Sequence, residues 1–178
     1  MMEDANDHHG VKLKQEDEFV EAQEMRQAMR RWATGVTVVT SHHAGIRHGM
    51  TVSSFTSISL IPPRVLVSLQ VHTRTHELIK RAGVFGVTLL SQEQQDISER
   101  FAGRIPEYED RFLGLETFTL ATGVPMLAGG LAGFDCEVMA AYAAGDHTLF
   151  IGDVLAVQIS QDAHPLIYYN RRYWHLDV

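Results

Sequence analysis

What this chain lacks narrows it before any motif is read. Its 178 residues include one cysteine, Cys136, so no internal disulfide can form, and the apolar run around it suits a thiol acting as a small hydrophobe. That usage fits a reducing compartment, and a cytoplasmic protein is expected. An excess of positive charge is also missing. The formal net charge is −7 and the pI is near 5.8, the wrong sign for general nucleic-acid binding, which sets a basic face against phosphate. No apolar run approaches the ~20 residues of a membrane span, and the acidic, polar start lacks the basic-then-apolar order of a secretory signal. Neither nucleic acid nor a membrane is therefore expected as a partner. Small molecules and proteins remain.

Three common site chemistries are absent too. The nearest approach to a dinucleotide fingerprint is AGGLAG at 128–133. It begins with alanine and leads into a strand-like run, whereas a working fingerprint opens a helix, so it reads as a turn. No G-x-S-x-G nucleophile elbow occurs. His42, His43 and His48 are close in sequence, but no nearby carboxylate or cysteine completes a ligand set. They read as exposed turn histidines, and no metal is expected.

What is present fits one domain, since ~100–200 residues is ordinary domain size. Residues 1–17, MMEDANDHHGVKLKQED, carry too little apolar surface to offset the entropy of ordering and are expected to form a disordered tail. The domain then runs from 18 to 178. Ala22, Met25, Met29, Trp32 and Ala33 recur at helical spacing, with Gly35 where a C-cap glycine would sit. VTVVTS at 36–41 predicts a strand, HHAGIRHG a turn, and MTVSSFTSIS at 50–59 a second strand, together a hairpin. Pro62-Pro63 is expected to stop pairing, and RVLVSLQ at 64–70 to form a third strand. THELIKRA at 75–82 predicts a short helix and VFGVTLL at 84–90 a strand. SQEQQDISERFA predicts a helix of about three turns, with Ser91 and Gln94 at capping-box spacing. FDCEVMAAYAAG, HTLFIGDVLAVQIS and PLIYYNRRYWHL are strand-forming. Mainly β with a few helices points to a single-domain barrel carrying helices on its outside.

Three sets of residues invite chemistry. Thr51, Ser53, Ser54, Thr56, Ser57 and Ser59 crowd hydroxyls onto one predicted strand, where they can donate to phosphate or polyol oxygens without bringing charge. Thr73, Arg74 and Thr75 stand just before a helix, whose N-terminal N–H groups favour an anion. Gly145-Asp146-His147 forms a turn, with a histidine whose ordinary pKa lies near working pH. The same residue types also populate ordinary strands, caps and turns, so both readings stand.

In order, these segments resemble the flavin reductase-like family, the small partner enzymes of two-component flavin-dependent monooxygenases. The carriers are RRWATGVTVVTS at 30–41, GMTVSSFTSISLIPP at 49–63, TRTHEL at 73–78, FGVTLLSQEQQDISERFA at 85–102, DRF at 110–112, GDHTLFIGDV at 145–154 and YYNRRYW at 168–174. The resemblance implies an FMN-binding split β-barrel of Greek-key type that forms a homodimer, with flavin near the subunit boundary. It implies FMN or FAD as flavin, NADH or NADPH as reductant, and a separate flavin-dependent oxygenase as partner. By the same resemblance Thr51, Val52, Ser53 and Ser54 run along the flavin, Thr73 and Thr75 lie near its phosphate, where Arg74 adds a positive charge, and Phe101 with Ala102 meets the cofactor. His147, beside Gly145 and Asp146, matches the catalytic position at the nicotinamide and flavin ring. Gln70 and Thr88 depart from an expected asparagine; a threonine cannot reproduce an amide's donors and acceptor. A flavin-binding protein without activity, or an oxidase of the pyridoxamine phosphate type, is the alternative.

Overall fold

The structure, a computed structural model, describes residues 19–104, 109–160 and 163–176; the expected tail at 1–17 lies outside them. Its body is a seven-stranded antiparallel sheet. In chain order the strands are β2 (Thr37–His43), β3 (Ile46–Val52), β4 (Thr56–Leu60), β5 (Pro63–Gln70), β6 (Val84–Leu89), β9 (Ala132–Ala144) and β10 (His147–Ile159). In space they run β3-β2-β6-β9-β10-β5-β4. The two edges, β3 and β4, are thus consecutive in the chain, joined only by residues 53–55. Laid flat, six inter-strand spacings would set these edges roughly 29 Å apart, whereas so short a link reaches about 14 Å at most. The sheet must therefore curl, and it forms a barrel split between β3 and β4.

Small sheets complete it. β1 (Thr34–Gly35), β11 (Ile167–Tyr169) and β12 (Arg172–Trp174) form one, and β7 (Thr117–Phe118) pairs with β8 (Met126–Leu127) in another. The helices are α1 (Ala22–Met29), α2 (Arg74–Ala82) and α3 (Gln95–Glu99), the last flanked by a 3-10 turn at Gln92–Gln94 and a π turn at Arg100–Arg104. Ser91 N donates to Gln94 Oε1 at 3.1 Å, as the capping-box spacing requires.

Two clusters hold the fold. Inside the barrel, Val39, Val67, Leu69, Ile79, Phe85 and Phe150 pack around Cys136. Burial, with Asp135 beside it, pushes the Cys136 thiol up to about 12, so it serves packing alone. The second cluster, Val36, Val38, Leu90, Phe101, Phe112, Leu127 and Leu166, covers the other face of β2. That is why Thr37 through Ser41 are all buried and the run lacks a polar face.

Several sequence expectations need correction. α1 stops at Met29 and buries no residue; Trp32 lies beyond it and Gly35 pairs with Ile167, so Gly35 is a strand residue and not a helix cap. The predicted turn HHAGIRHG shrinks to Ala44-Gly45, because these two residues take φ of 49° and 77°, the twist-matched geometry of a two-residue hairpin. The predicted strand 50–59 is two strands on opposite edges. The prolines do not end pairing: Leu60 pairs with Pro63 across a tight turn.

Candidate functional site

At the split the chain turns from one edge to the other, and three openings meet there at Ser53. The largest, about 460 Å³, has apolar walls from Trp32, Val36, Phe55, Leu89, Leu131 and Leu166. A second, about 180 Å³, lies between Thr51, Val52, Ser98, Ala102, Tyr168 and Tyr173. The third, about 370 Å³, is lined by Arg26, Arg30, Thr34, Tyr168 and Arg171. Thr34↔Tyr168 pairing between β1 and β11 sets the rim, so both ends of the domain contribute.

Most hydroxyls here are already committed. Thr37 donates to the Val52 carbonyl at 3.0 Å and Thr51 to the Ser98 carbonyl at 2.6 Å. Ser54 Oγ donates to the Ser68 carbonyl at 2.8 Å and accepts from Ser68 N at 3.1 Å, fixing the link to β5. Tyr173 Oη and Ser98 Oγ share a 2.8 Å bond. Among the described residues nothing engages the exposed Ser53 hydroxyl, which is left to a ligand. A planar apolar ligand edged with polar atoms, such as an isoalloxazine, fits this donor set: aliphatic walls, a free hydroxyl, and a volume within the ~300–1,000 Å³ range of small-molecule sites.

The other expected residues gather elsewhere. Thr73 caps α2, its hydroxyl accepting from His76 N at 3.4 Å and donating to the Gln70 carbonyl at 2.9 Å. Thr75 is buried and bonded to His48 Nδ1 at 2.8 Å. His48 is thereby a buried residue of β3, contrary to the exposed-turn reading; burial, then Arg111 and Arg74, pulls its pKa down to about 4. Arg74 lines a cleft of about 510 Å³ with His42, Arg47 and Asp110. This cleft shares no lining residue with the openings at Ser53.

His147 stands at the β9–β10 turn opposite Gln70. Its Nδ1 meets Asp146 Oδ1 at 2.7 Å, which holds the Asp146 carboxyl below the usual carboxylate range. The Asp146 carbonyl accepts from Val71 N at 3.0 Å, so the Gly145-Asp146-His147 turn is tied to the connection that carries Thr73. Phe101 is core, edge-on to Phe112, while its neighbour Ala102 reaches the groove. Thr88 is buried, and its Oγ1 accepts from Leu127 N at 3.1 Å. Among the described residues no group of three or more His, Cys, Asp or Glu is placed to hold a metal, and no helix is long and apolar enough to cross a membrane.

Sequence reasoning missed Trp32, Thr34, Tyr168 and Tyr173 as groove residues. Thr34, Tyr168 and Tyr173 stand on strands two and three residues long, too short to show a period, and Trp32 lies in the link between α1 and the first of them. The one signal was that both segments, RRWATG and YYNRRYW, carry the family resemblance.

The split barrel and its groove place the chain in a known class: it belongs to the flavin reductase-like domain family, whose pattern it matches over residues 29–177. Among its relatives, an NADH-dependent flavin reductase of Rhodococcus sp. is 38% identical over 86% of each chain. The NADH-dependent flavin reductase StyB of Pseudomonas fluorescens is 42% identical over 83% of this chain and 86% of that one. The solved styrene monooxygenase flavin reductase of Pseudomonas putida S12 superposes with a TM-score of 0.78, at 40% identity, covering 87% and 98% of the two chains.

Proposed function

We infer that this chain is a flavin reductase that uses NADH, or NADPH, to reduce FMN or FAD and hands the reduced flavin to a separate oxygenase. The observation that carries this is the apolar groove at the barrel's split, with an uncommitted hydroxyl at Ser53. Family membership and the names of the relatives support the reaction. Hydride transfer between nicotinamide and flavin is chemistry the bound cofactors supply, and the protein contributes position and electrostatics. Thr51, Val52, Ser53 and Ser54 would line the flavin, through backbone groups and the Ser53 hydroxyl. Ala102 would close one side, with Phe101 packed behind it. Thr73, Arg74 and Thr75 stand by a cleft apart from this groove, so an anion held there through the α2 N-terminus would be a separate one and not the flavin's own phosphate. His147, oriented by Asp146 at the Gly145 turn, would steady the nicotinamide.

A homodimer in the cytoplasm completes the reading. The outer face of the wall supports a second copy: Leu149 lies between Ser68 and Tyr142, and Ile151 between Leu66 and Ala140. Tyr142, Met139, Leu155 and Ile159 on the same wall are exposed, and an apolar area of that kind marks an interface.

Mixing the protein with NADH and FMN, FAD or riboflavin under air tests the activity through loss of nicotinamide absorbance. Absence of turnover with every flavin, together with no quenching of flavin fluorescence, would sink the assignment. His147→Ala is expected to slow nicotinamide oxidation at least about tenfold while changing flavin affinity far less. Unchanged turnover would remove the role given to His147.

A further inference from the structure

The third opening at Ser53 differs from the other two in charge. Arg26 on α1 and Arg30, the residue that caps its C-terminus, are one helical turn apart and so share a face. Arg171 comes from the β11–β12 turn, where Asn170 and Arg171 both take positive φ, 49° and 63°. Asn170 N donates to the Arg30 carbonyl at 3.1 Å, which locks the two segments together. Among the described residues no carboxylate lines this cleft. Among the described residues, none of the three guanidinium groups makes a hydrogen bond or ion pair. In a chain with 22 acidic and 15 basic residues, three cations converging without a counter-ion call for an anion from outside.

Guanidinium forks match phosphate oxygens, and several in one cleft match a diphosphate. At the rim shared with the apolar groove stands Trp32, 67% exposed. An indole left in water on a cleft edge offers a base a face to stack on. We propose that this arginine-walled cleft seats the adenosine-diphosphate moiety common to FAD and NADH, its phosphates on Arg26, Arg30 and Arg171 and its adenine on Trp32. The proposal rests on the flavin reductase reading only in that the cleft opens into the groove assigned to the flavin.

The test uses ADP itself. Calorimetric titration of the full chain should show ADP binding more tightly than AMP, and AMP more tightly than adenosine, with an affinity that falls as salt rises. The triple variant Arg26→Gln, Arg30→Gln, Arg171→Gln should lose at least about tenfold in ADP affinity. Arg171→Gln alone should show part of that loss, and serves should the triple variant misfold. Two steady-state arms separate the sources: a higher KM for FAD but not FMN assigns the cleft to the flavin, and a higher KM for NADH with FMN as acceptor assigns it to the reductant. ADP that fails to bind at millimolar concentration, or variants that bind it like the parent, overturns the proposal; so do two unmoved KM values. Riboflavin titration by fluorescence quenching keeps the two ideas apart. Riboflavin bound without ADP sinks this cleft and spares the reductase reading, whereas ADP bound without any flavin supports the cleft and removes that reading.

Discussion

The closed wall of the barrel and its split are built from the same residue types, small hydroxyls alternating with branched aliphatics, yet they end in different states. In the wall Ser41 Oγ donates to the Val84 carbonyl at 2.8 Å, and Thr88 accepts from Leu127 N. Gly152 leaves room for Phe85, whose ring carbon would lie 2.6 Å from an added Cβ. At the split, Thr51 and Ser54 are tied down in the same way, but Ser53 and Trp32 face water. Hydroxyl density therefore does not mark the site. What sets Ser53 apart is its place, an unpartnered hydroxyl where three openings meet.

Substitutions can break or sharpen that contrast. The largest effect belongs to the wall: Phe85→Ala empties a fully buried site and is expected to cost about 3–5 kcal/mol, read from urea unfolding midpoints. Next comes His48, between wall and helix. Its folded pKa of about 4 lies below the ordinary 6.5, so the unfolded chain takes up the proton first as pH falls. The contribution of His48 is fully present above pH 6.5, declines through the interval, and is lost by about 4; it is roughly 3 kcal/mol. Arg111 and Arg74 disfavour the same proton. Unfolding midpoints across that range should flatten in His48→Gln relative to the parent, and an unchanged slope would remove His48 as the source.

The smallest changes are the most telling for the split. Ser54→Ala should cost about 1 kcal/mol, the worth of a partly buried hydrogen bond, with little change in flavin affinity. Its neighbour Ser53→Ala should leave stability within about 0.5 kcal/mol but weaken flavin quenching severalfold. Equal behaviour of the two variants would erase the distinction between a committed hydroxyl and a free one.

The sequence made the strands of the wall legible because they are long: β9 and β10 have 13 residues each, enough for composition and period to speak. α2 was equally readable, expected over 75–82 and found at Arg74–Ala82 between its caps Thr73 and Gly83. The break at residues 53–55 was not, since Ser-Ser-Phe continues a strand pattern without glycine or proline, and only the strand order shows that β3 and β4 lie at opposite edges. Likewise Met25, Met29 and Trp32 have the spacing of a buried helical face, and yet all three are at least half exposed. Periodicity reports that a face is apolar, not what covers it. For the site, motif order pointed to Thr51–Ser54, which line the openings at the split, while the contribution of Thr34 and Tyr168 depends on pairing across more than a hundred residues.

The three-residue link at 53–55 holds the two edges of the split together and also lines the apolar groove. Lengthening it by even one or two residues would let the seam gape and displace Ser53 at the same time, so the barrel's closure and the groove's shape share a single tether. A longer hairpin tip at Gly145 would displace His147, which pairs with Gln70 and meets Asp146 there, and leave the seam as it is.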